Sequence, residues 1–158
     1  MSTLRQMEYL SSMSSSKLPE SLVQIREDFR ELERSDRLVL LLEFANELPA
    51  LPPRYAEHPD LLERVVECQS PVFIFVEVDD KRLVHLHATA PKEAPTTRGF
   101  ASILVQGLSG LTVDEVLDVP DDFPTTIGLT EAVSLLRIRG MTAMLARAKR
   151  QLREKATA

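Results

Sequence analysis

One cysteine, Cys68, stands in a chain of 158 residues, and a lone thiol allows only a few chemistries. It forms no disulfide within the chain and supplies no Cys-x-x-Cys half of a metal site. What remains is an inert buried thiol, one ligand of a mixed metal site, or a reactive sulfur. Its nearest neighbours are polar or turn-forming: Glu67, Gln69, Ser70 and Pro71. The sequence therefore places Cys68 on a loop that can present its sulfur to a partner, although a carboxylate beside a thiol disfavours the thiolate.

Two histidines, His85 and His87, are the other residues whose spacing could serve chemistry. Residues two apart on a strand point to the same face, so this pair could bind a metal together with Cys68. A zinc site usually has a fourth ligand, and no residue of equally clear spacing is evident for that position. His58, on a proline-rich loop, is not identifiable as that ligand. Either histidine of the pair could instead be the base of a Cys-His hydrolase, although no local signature supports one. We expect no metal and no cofactor, and the hydrolase remains an alternative.

Charge and hydropathy argue against two further classes of function. The net charge is −5, the pI is about 5.3 and tryptophan is absent, so the chain lacks the basic patch and aromatic platform of a nucleic-acid-binding protein. The longest apolar runs, Leu38–Leu42 and Val72–Val76, fall far short of the roughly 20 residues of a membrane span. Met1–Lys17 contains no apolar core of signal-peptide length, and a single cysteine fits a reducing compartment. We therefore expect a cytoplasmic protein that binds neither nucleic acid nor membrane.

The elements that position Cys68 begin with a helical pair. Residues 1–17 are rich in serine and are predicted to form a disordered or flexible tail, followed by one domain over residues 18–158. Apolar residues between Pro19 and Leu32 recur at helical spacing, and Ser35 or Asp36 is predicted to cap a second helix. The predicted buried face of that second helix consists of Leu38, Leu41, Leu42, Ala45 and Leu48.

A β-hairpin is predicted directly after Cys68. Val72–Val76 is typical of a buried strand, Asp79–Lys81 of a turn, and Arg82–Ala88 of the returning strand. Val65 and Val66 could form a short extended lead-in. Alternation along the returning strand predicts one face with Leu83, His85 and His87 and another with Val84, Leu86 and Ala88.

Helices are predicted after the hairpin. Thr96 or Thr97 caps the first of them, and Thr112–Glu115 forms a capping box. The last helix spans about Ser134–Lys155 and contains Gly140, an interior glycine that costs roughly 1 kcal/mol relative to alanine and so indicates close packing. Its predicted buried side contains Leu136, Met141, Met144, Leu145 and Ala148, and its outer face is basic, with Arg147, Lys149, Arg150 and Arg153 as a solvated surface. Two helices, a small antiparallel sheet and further helices predict a single-domain α+β fold, with the sheet flanked by helices.

Short segments along the chain also form an ordered set of motifs. Residues 64–73 read Arg-Val-Val-Glu-Cys-Gln-Ser-Pro-Val-Phe. Further motifs precede and follow this string, at Leu18–Glu20, Leu48–Pro52, Arg98–Phe100, Thr112–Leu117, Gly128–Leu129 and Ser134–Met141. In their order and spacing they resemble the SufE family of sulfur-acceptor proteins, whose cysteine motif is Arg-Val-x-Gly-Cys-Gln-Ser-x-Val-Trp. The resemblance extends from about Leu18 to the C-terminus.

The resemblance implies a role in sulfur transfer. Cys68 would accept the terminal sulfur of a persulfide on a PLP-dependent cysteine desulfurase and become a persulfide itself. Arg137 falls at the family's basic position in the last helix, and with Gln69 and Ser70 it is implied to support or dock the partner. The protein would then be a sulfur carrier and desulfurase activator rather than a stand-alone enzyme, and it would pass sulfur to an iron–sulfur scaffold.

The chain departs from the family pattern at several positions, two of them beside or close to the cysteine. Glu67 replaces glycine, Phe73 replaces tryptophan, and Leu135 stands where the family has proline. Glu67 is expected to alter loop flexibility and thiol basicity, and Pro71 to stiffen the loop. A pure interaction module, in which Cys68 is structural, is a further alternative beside the hydrolase.

Overall fold

Three antiparallel strands and six α-helices make up the part of the chain that the computed structural model describes, residues 18–156. The segment predicted as a tail, residues 1–17, lies outside the described residues. The helices are α1 (Glu20–Arg30), α2 (Arg34–Asn46), α3 (Pro53–Ala56), α4 (Pro95–Leu108), α5 (Val113–Leu117) and α6 (Leu135–Ala156). The strands are β1 (Glu63–Arg64), β2 (Phe73–Val78) and β3 (Val84–Thr89), and short 3₁₀ helices lie at Pro59–Leu61 and Phe123–Thr126. This architecture confirms the α+β prediction.

The sheet has the order β1-β2-β3, so β2 is its central strand and the predicted hairpin forms two of its three strands. Phe75 lies opposite His87, and Glu77 lies opposite His85. The β3 side chains that face the core are Val84, Leu86 and Ala88, all buried, whereas the histidines between them are half-buried on the other face. The predicted division of β3 into two faces is confirmed. The lead-in strand lies slightly earlier than expected, at Glu63–Arg64 rather than at the two valines that follow.

Helix α4 is the centre of the helical layer, because α1, α2 and α6 all pack against it. Two glycines permit the close approach of its neighbours. A Cβ built on Gly99 would lie 2.5 Å from the carbonyl oxygen of Leu41 in α2, and one built on Gly107 would clash with Leu22 Cδ2 in α1. The helix begins at Pro95, which suits the first helical position because proline lacks the donor that would be unpaired there. The prediction that Thr96 or Thr97 caps it was therefore wrong by two to three residues, since the N-cap is Ala94.

Helix α2 differs most from its prediction. It begins at Arg34, with Glu33 and not Ser35 or Asp36 as the N-cap. Its buried residues are Leu41, Phe44 and Ala45, and Leu48 just beyond the helix is buried too, whereas Leu38 and Leu42 are exposed. A run of five consecutive apolar residues covers the whole circumference of a helix, so periodicity alone does not identify the side that contacts α4.

The capping box and the extent of the last helix are confirmed, but its basic face is not solvated throughout: Lys149 is only 3% exposed and pairs with Asp121 at 2.7 Å. Thr112 Oγ1 accepts from the Glu115 amide at 3.2 Å, while Glu115 Oε1 accepts from the Thr112 amide at 3.0 Å. Helix α6 packs against β2 and α4 through buried Met141, Met144, Leu145 and Ala148. Leu136, predicted on this buried side, lies in the first turn of the helix and is 48% exposed. Within residues 18–156, no helix is long and apolar enough to cross a membrane.

Candidate functional site

Cys68 lies on the loop between β1 and β2 that its polar neighbours predicted, but its side chain faces the core instead of being presented to a partner. The amide of Val65 donates to the Val72 carbonyl at 2.9 Å and closes the loop at its base. The amide of Cys68 donates to the Val65 carbonyl at 3.1 Å and turns the chain inward. Val65, Val72 and Cys68 are buried, whereas Val66 is 68% exposed. The loop is therefore a surface element whose cysteine is turned into the core, with only 7% of the residue exposed.

The sulfur rests against Gly140 of helix α6. A Cβ built on this glycine would lie 2.9 Å from Cys68 Sγ, closer than real Cβ atoms approach another atom. The close packing that the interior glycine indicated is confirmed, and the group that packs there is the thiol itself. The long helix thus provides a recess for the sulfur that any larger residue would fill.

Burial makes this thiol a weak acid. Desolvation is the main cause that raises the pKa of Cys68 to about 11, the charge of Glu67 raises the pKa further, and Arg147 partly opposes both. Glu67 therefore affects the acidity of the thiol, as expected for a carboxylate next to the cysteine. Since the thiolate is the nucleophile, the cysteine in this resting position has low nucleophilic reactivity.

A cavity of about 470 Å³ adjoins Cys68 and brings the predicted site residues together. Gln69 and Ser70 line it together with the adjacent Cys68, and Arg137 joins them from helix α6. The first turns of α4 and α6 complete the wall, and Arg137 Nη1 donates to Thr96 Oγ1 at 3.4 Å. The cavity therefore combines one cation, two carboxylates (Glu67 and Glu93), hydroxyl groups and the positive ends of two helices beside the sulfur.

Sequence reasoning missed a contact between the cysteine loop and the basic face of α6. Arg147 was assigned to a solvated surface, yet its side chain is only 21% exposed and Nη2 donates to Glu67 Oε1 at 2.5 Å. This hydrogen bond is the main cause that lowers the pKa of the Glu67 carboxyl. The signal available in the sequence was the residue type at position 67, since a carboxylate next to a buried cysteine needs a cation to offset it.

The histidines of the alternative interpretations do not join this site. His85 Nε2 lies 2.7 Å from Asp79 Oδ2, and His87 Nε2 lies 3.4 Å from Glu77 Oε1. The ring of His87 packs on Tyr55, with centroids 4.9 Å apart, on the sheet face opposite the core. His58 is exposed in its loop. Neither histidine of the pair lines the cavity beside the cysteine, and residues 18–156 contain no cluster of three His, Cys, Asp or Glu side chains placed to bind a metal ion.

Comparison with known proteins places this loop and cavity within a known family. Residues 23–152 match the sequence model of SufE, described as an Fe-S metabolism associated domain. The chain belongs to the SufE family. An uncharacterized SufE-like protein of Mycobacterium tuberculosis H37Rv is 56% identical over 137 residues, which cover 87% of this chain and 94% of that protein. The cysteine desulfuration protein SufE of Plasmodium vivax is 28% identical over 124 residues, covering 72% of this chain and 51% of that protein.

The same SufE fold is found in a solved structure. A solution structure of a hypothetical protein from Thermus thermophilus has a TM-score of 0.79 and 39% sequence identity to this chain, and it covers 89% of this chain and 99% of its own. The SufE match includes the cysteine loop, Gly140 and both arginines of the site, Arg137 and Arg147. The SufE family is associated with sulfur transfer from cysteine desulfurases, so the resemblance inferred from the ordered motifs is confirmed.

Proposed function

We propose that this protein is a sulfur acceptor that carries persulfide sulfur on Cys68. The observation that supports it most directly is the position of the sulfur, which lies against Gly140 at the wall of the cavity that Arg137 also lines. A cysteine that was merely a small core residue would not need a cavity with a cation beside it. The SufE assignment gives the donor class, a cysteine desulfurase, which uses PLP to release sulfur from free cysteine.

The transfer itself is a displacement at sulfur. The Cys68 thiolate attacks the outer sulfur of the donor's cysteine persulfide, a new S–S bond forms, and the donor's S–S bond breaks. The donor cysteine leaves as a thiolate with the electron pair of that bond, and Cys68 becomes the persulfide. No oxidant or reductant is consumed. Because Cys68 is the only cysteine of the chain, no second thiol within the protein can attack the new persulfide and expel its sulfur.

The buried resting position implies that acceptance is coupled to loop opening. With a thiol pKa of about 11, only ~10⁻⁴ of the cysteine is thiolate near pH 7. When the loop moves outward, water or the partner's polar groups replace the apolar surroundings, and the cause of the raised pKa is removed. The same movement places the sulfur within reach of the donor. After transfer, return to the recess and cavity would shield the labile persulfide from other thiols.

Arg137 is proposed to assist at the cavity, with Gln69 and Ser70 supporting the loop or the docked partner. Once the sulfur moves toward the cavity, the Arg137 guanidinium would favour anionic sulfur, both the attacking thiolate and the deprotonated persulfide product. Downstream, we propose that sulfur passes to an iron–sulfur assembly scaffold. We also propose that the relay operates in the cytoplasm, where a lone thiol stays reduced. In this scheme the protein acts as carrier and activator of the desulfurase rather than as a separate enzyme.

The test is incubation with a PLP-dependent cysteine desulfurase and free cysteine, followed by intact mass measurement. We expect a gain of one sulfur atom on the wild type that is removed by a reducing thiol, and no gain on Cys68→Ser. The matched control is the double variant His85→Ala with His87→Ala, which should accept sulfur at the wild-type rate because both rings are bonded elsewhere. A Cys68→Ser protein that still carries sulfur, or a histidine variant that loses acceptance, would contradict the proposal.

A further inference from the structure

Glu67 and Arg147 link the cysteine loop to helix α6 near the point where the sulfur is held. Arg147 Nη2 donates to Glu67, and Nη1 donates to Glu63 Oε2 at 2.6 Å. Glu63 is itself held in place, since it accepts from Gln151 Nε2 at 3.0 Å and pairs with Arg150. The Arg147 guanidinium is therefore fixed by a strand residue outside the loop, and its other nitrogen bonds the loop.

Consecutive loop residues contact one face of α6. Gly140 and Arg147 are seven residues apart, which is about two helical turns or ~10.5 Å along the axis. Cys68 packs its sulfur on Gly140, and Glu67 reaches Arg147. Since neighbouring residues share a rigid peptide unit, a backbone movement that takes the sulfur away from Gly140 also moves Glu67. A backbone movement that takes the sulfur out of its recess therefore separates or reorients the ion pair.

We propose that Glu67 is a positioning residue whose ion pair with Arg147 holds the Cys68 loop closed and sets how often the sulfur becomes accessible. The two side chains are 46% and 21% exposed, so the pair is partly open to competing charges. A partner that brings a cation to Glu67 as it docks would release the loop at the place where the sulfur is needed. The proposal rests on the proposed role of Cys68, but it concerns loop opening, which is measured without sulfur transfer.

The first test is amide hydrogen exchange of residues 66–70 at neutral pH in Glu67→Gln, Arg147→Gln and the double variant. Each single variant should speed exchange roughly three- to fivefold, the range that a partly exposed ion pair supplies, and the double variant should add little more. At about 1 M salt, where the Debye length is only ~3 Å, wild-type exchange should approach that of the variants. The control is Glu131→Gln, which removes a carboxylate from the exposed pair with Arg34 and should leave the loop unchanged.

Alkylation of Cys68 distinguishes loop closure from a change in thiol acidity. Glu67 raises and Arg147 lowers the pKa of the thiol, so the two variants should shift this pKa in opposite directions. If the ion pair holds the loop closed, both variants accelerate alkylation once each rate is corrected for the thiolate fraction obtained from its own pH profile. Unchanged exchange in both variants, or opposite effects on the corrected rate, would overturn the proposal. If the variants open the loop but the wild type never accepts sulfur, the proposed function fails and the role of Glu67 stands.

Discussion

The sulfur of Cys68 occupies the space into which a side chain on Gly140 would project. The built Cβ would lie 2.9 Å from Sγ and 3.9 Å from both Cα and Cβ of the cysteine, so the clash concerns the sulfur first. The two residues are distant in sequence, yet the absence of a side chain at Gly140 allows Cys68 to be buried. A substitution on helix α6 is therefore expected to act on the chemistry of the loop.

Replacing this glycine should release the cysteine without touching it. In Gly140→Ala the new methyl group displaces the sulfur, and we expect alkylation of Cys68 to rise about tenfold. Overpacking costs about 1–3 kcal/mol of unfolding free energy, which the ~1 kcal/mol gain in helix propensity partly offsets. Rates of alkylation by a neutral reagent and urea unfolding curves check the two expectations.

Gly107→Ala is the matched control for that substitution. Its Cβ would clash with Leu22 Cδ2, so it also overpacks a helix interface, but away from the cysteine. It should lower stability and leave alkylation unchanged. Equal alkylation rates in Gly140→Ala and the wild type would mean that the glycine does not determine the position of the sulfur.

The raised thiol pKa predicts a pH dependence of stability. Because the folded-state pKa of about 11 lies above the ordinary value of 9.0, the protonated thiol contributes stability that is fully present below about pH 9. This contribution falls as pH rises towards about 11, and its full size is on the order of 2 kcal/mol. Cys68→Ala lacks it, so the difference in unfolding free energy between wild type and variant should shrink between pH 8 and pH 10, at ~1 kcal/mol per pH unit in the steepest part. A difference that stays constant over this range would contradict a buried, protonated thiol.

The charge of Arg137 should affect the rate of sulfur transfer more than it affects the reactivity of Cys68 in its resting position. Its guanidinium lines the cavity but does not cover the sulfur, so Arg137→Ala should leave the alkylation rate of the isolated protein within about twofold while slowing desulfurase-dependent sulfur acceptance roughly tenfold. Arg139→Ala removes a neighbouring exposed arginine that is not part of the cavity and serves as the control. Equal acceptance rates in the two variants would show that the charge at position 137 has no special role.

Sequence patterns predicted those parts of the fold that depend on residues close together in the chain. The alternation of β3 and the reciprocal bonds of Thr112 and Glu115 involve residues a few positions apart, and both predictions were confirmed. The orientation of α2 was not predictable in the same way. Leu38 and Leu42 are as apolar as Leu41, and only the position of α4 decides which of them is buried.

The candidate site shows the same difference between local features, which were predicted, and tertiary contacts, which were not. The polar neighbours of Cys68 predicted a loop, and the loop is there, but the burial of its sulfur depends on Gly140, far along the chain. The bond from Glu67 to Arg147 spans 80 positions, and an arginine in a basic helix gives no sign that it faces a loop. Residue types thus indicated the candidate reactive group, whereas its surroundings required the tertiary structure.

The hydrogen bond between Val65 and Val72 limits how far the sulfur can travel. If this bond stays intact when the loop opens, Cys68 is tethered three residues from a fixed point and can move no more than about 10 Å from it. A donor cysteine deep within a partner's active site would be out of reach of so short a tether. In the proposed relay, the donor's persulfide would then have to come within that distance of the base of the loop.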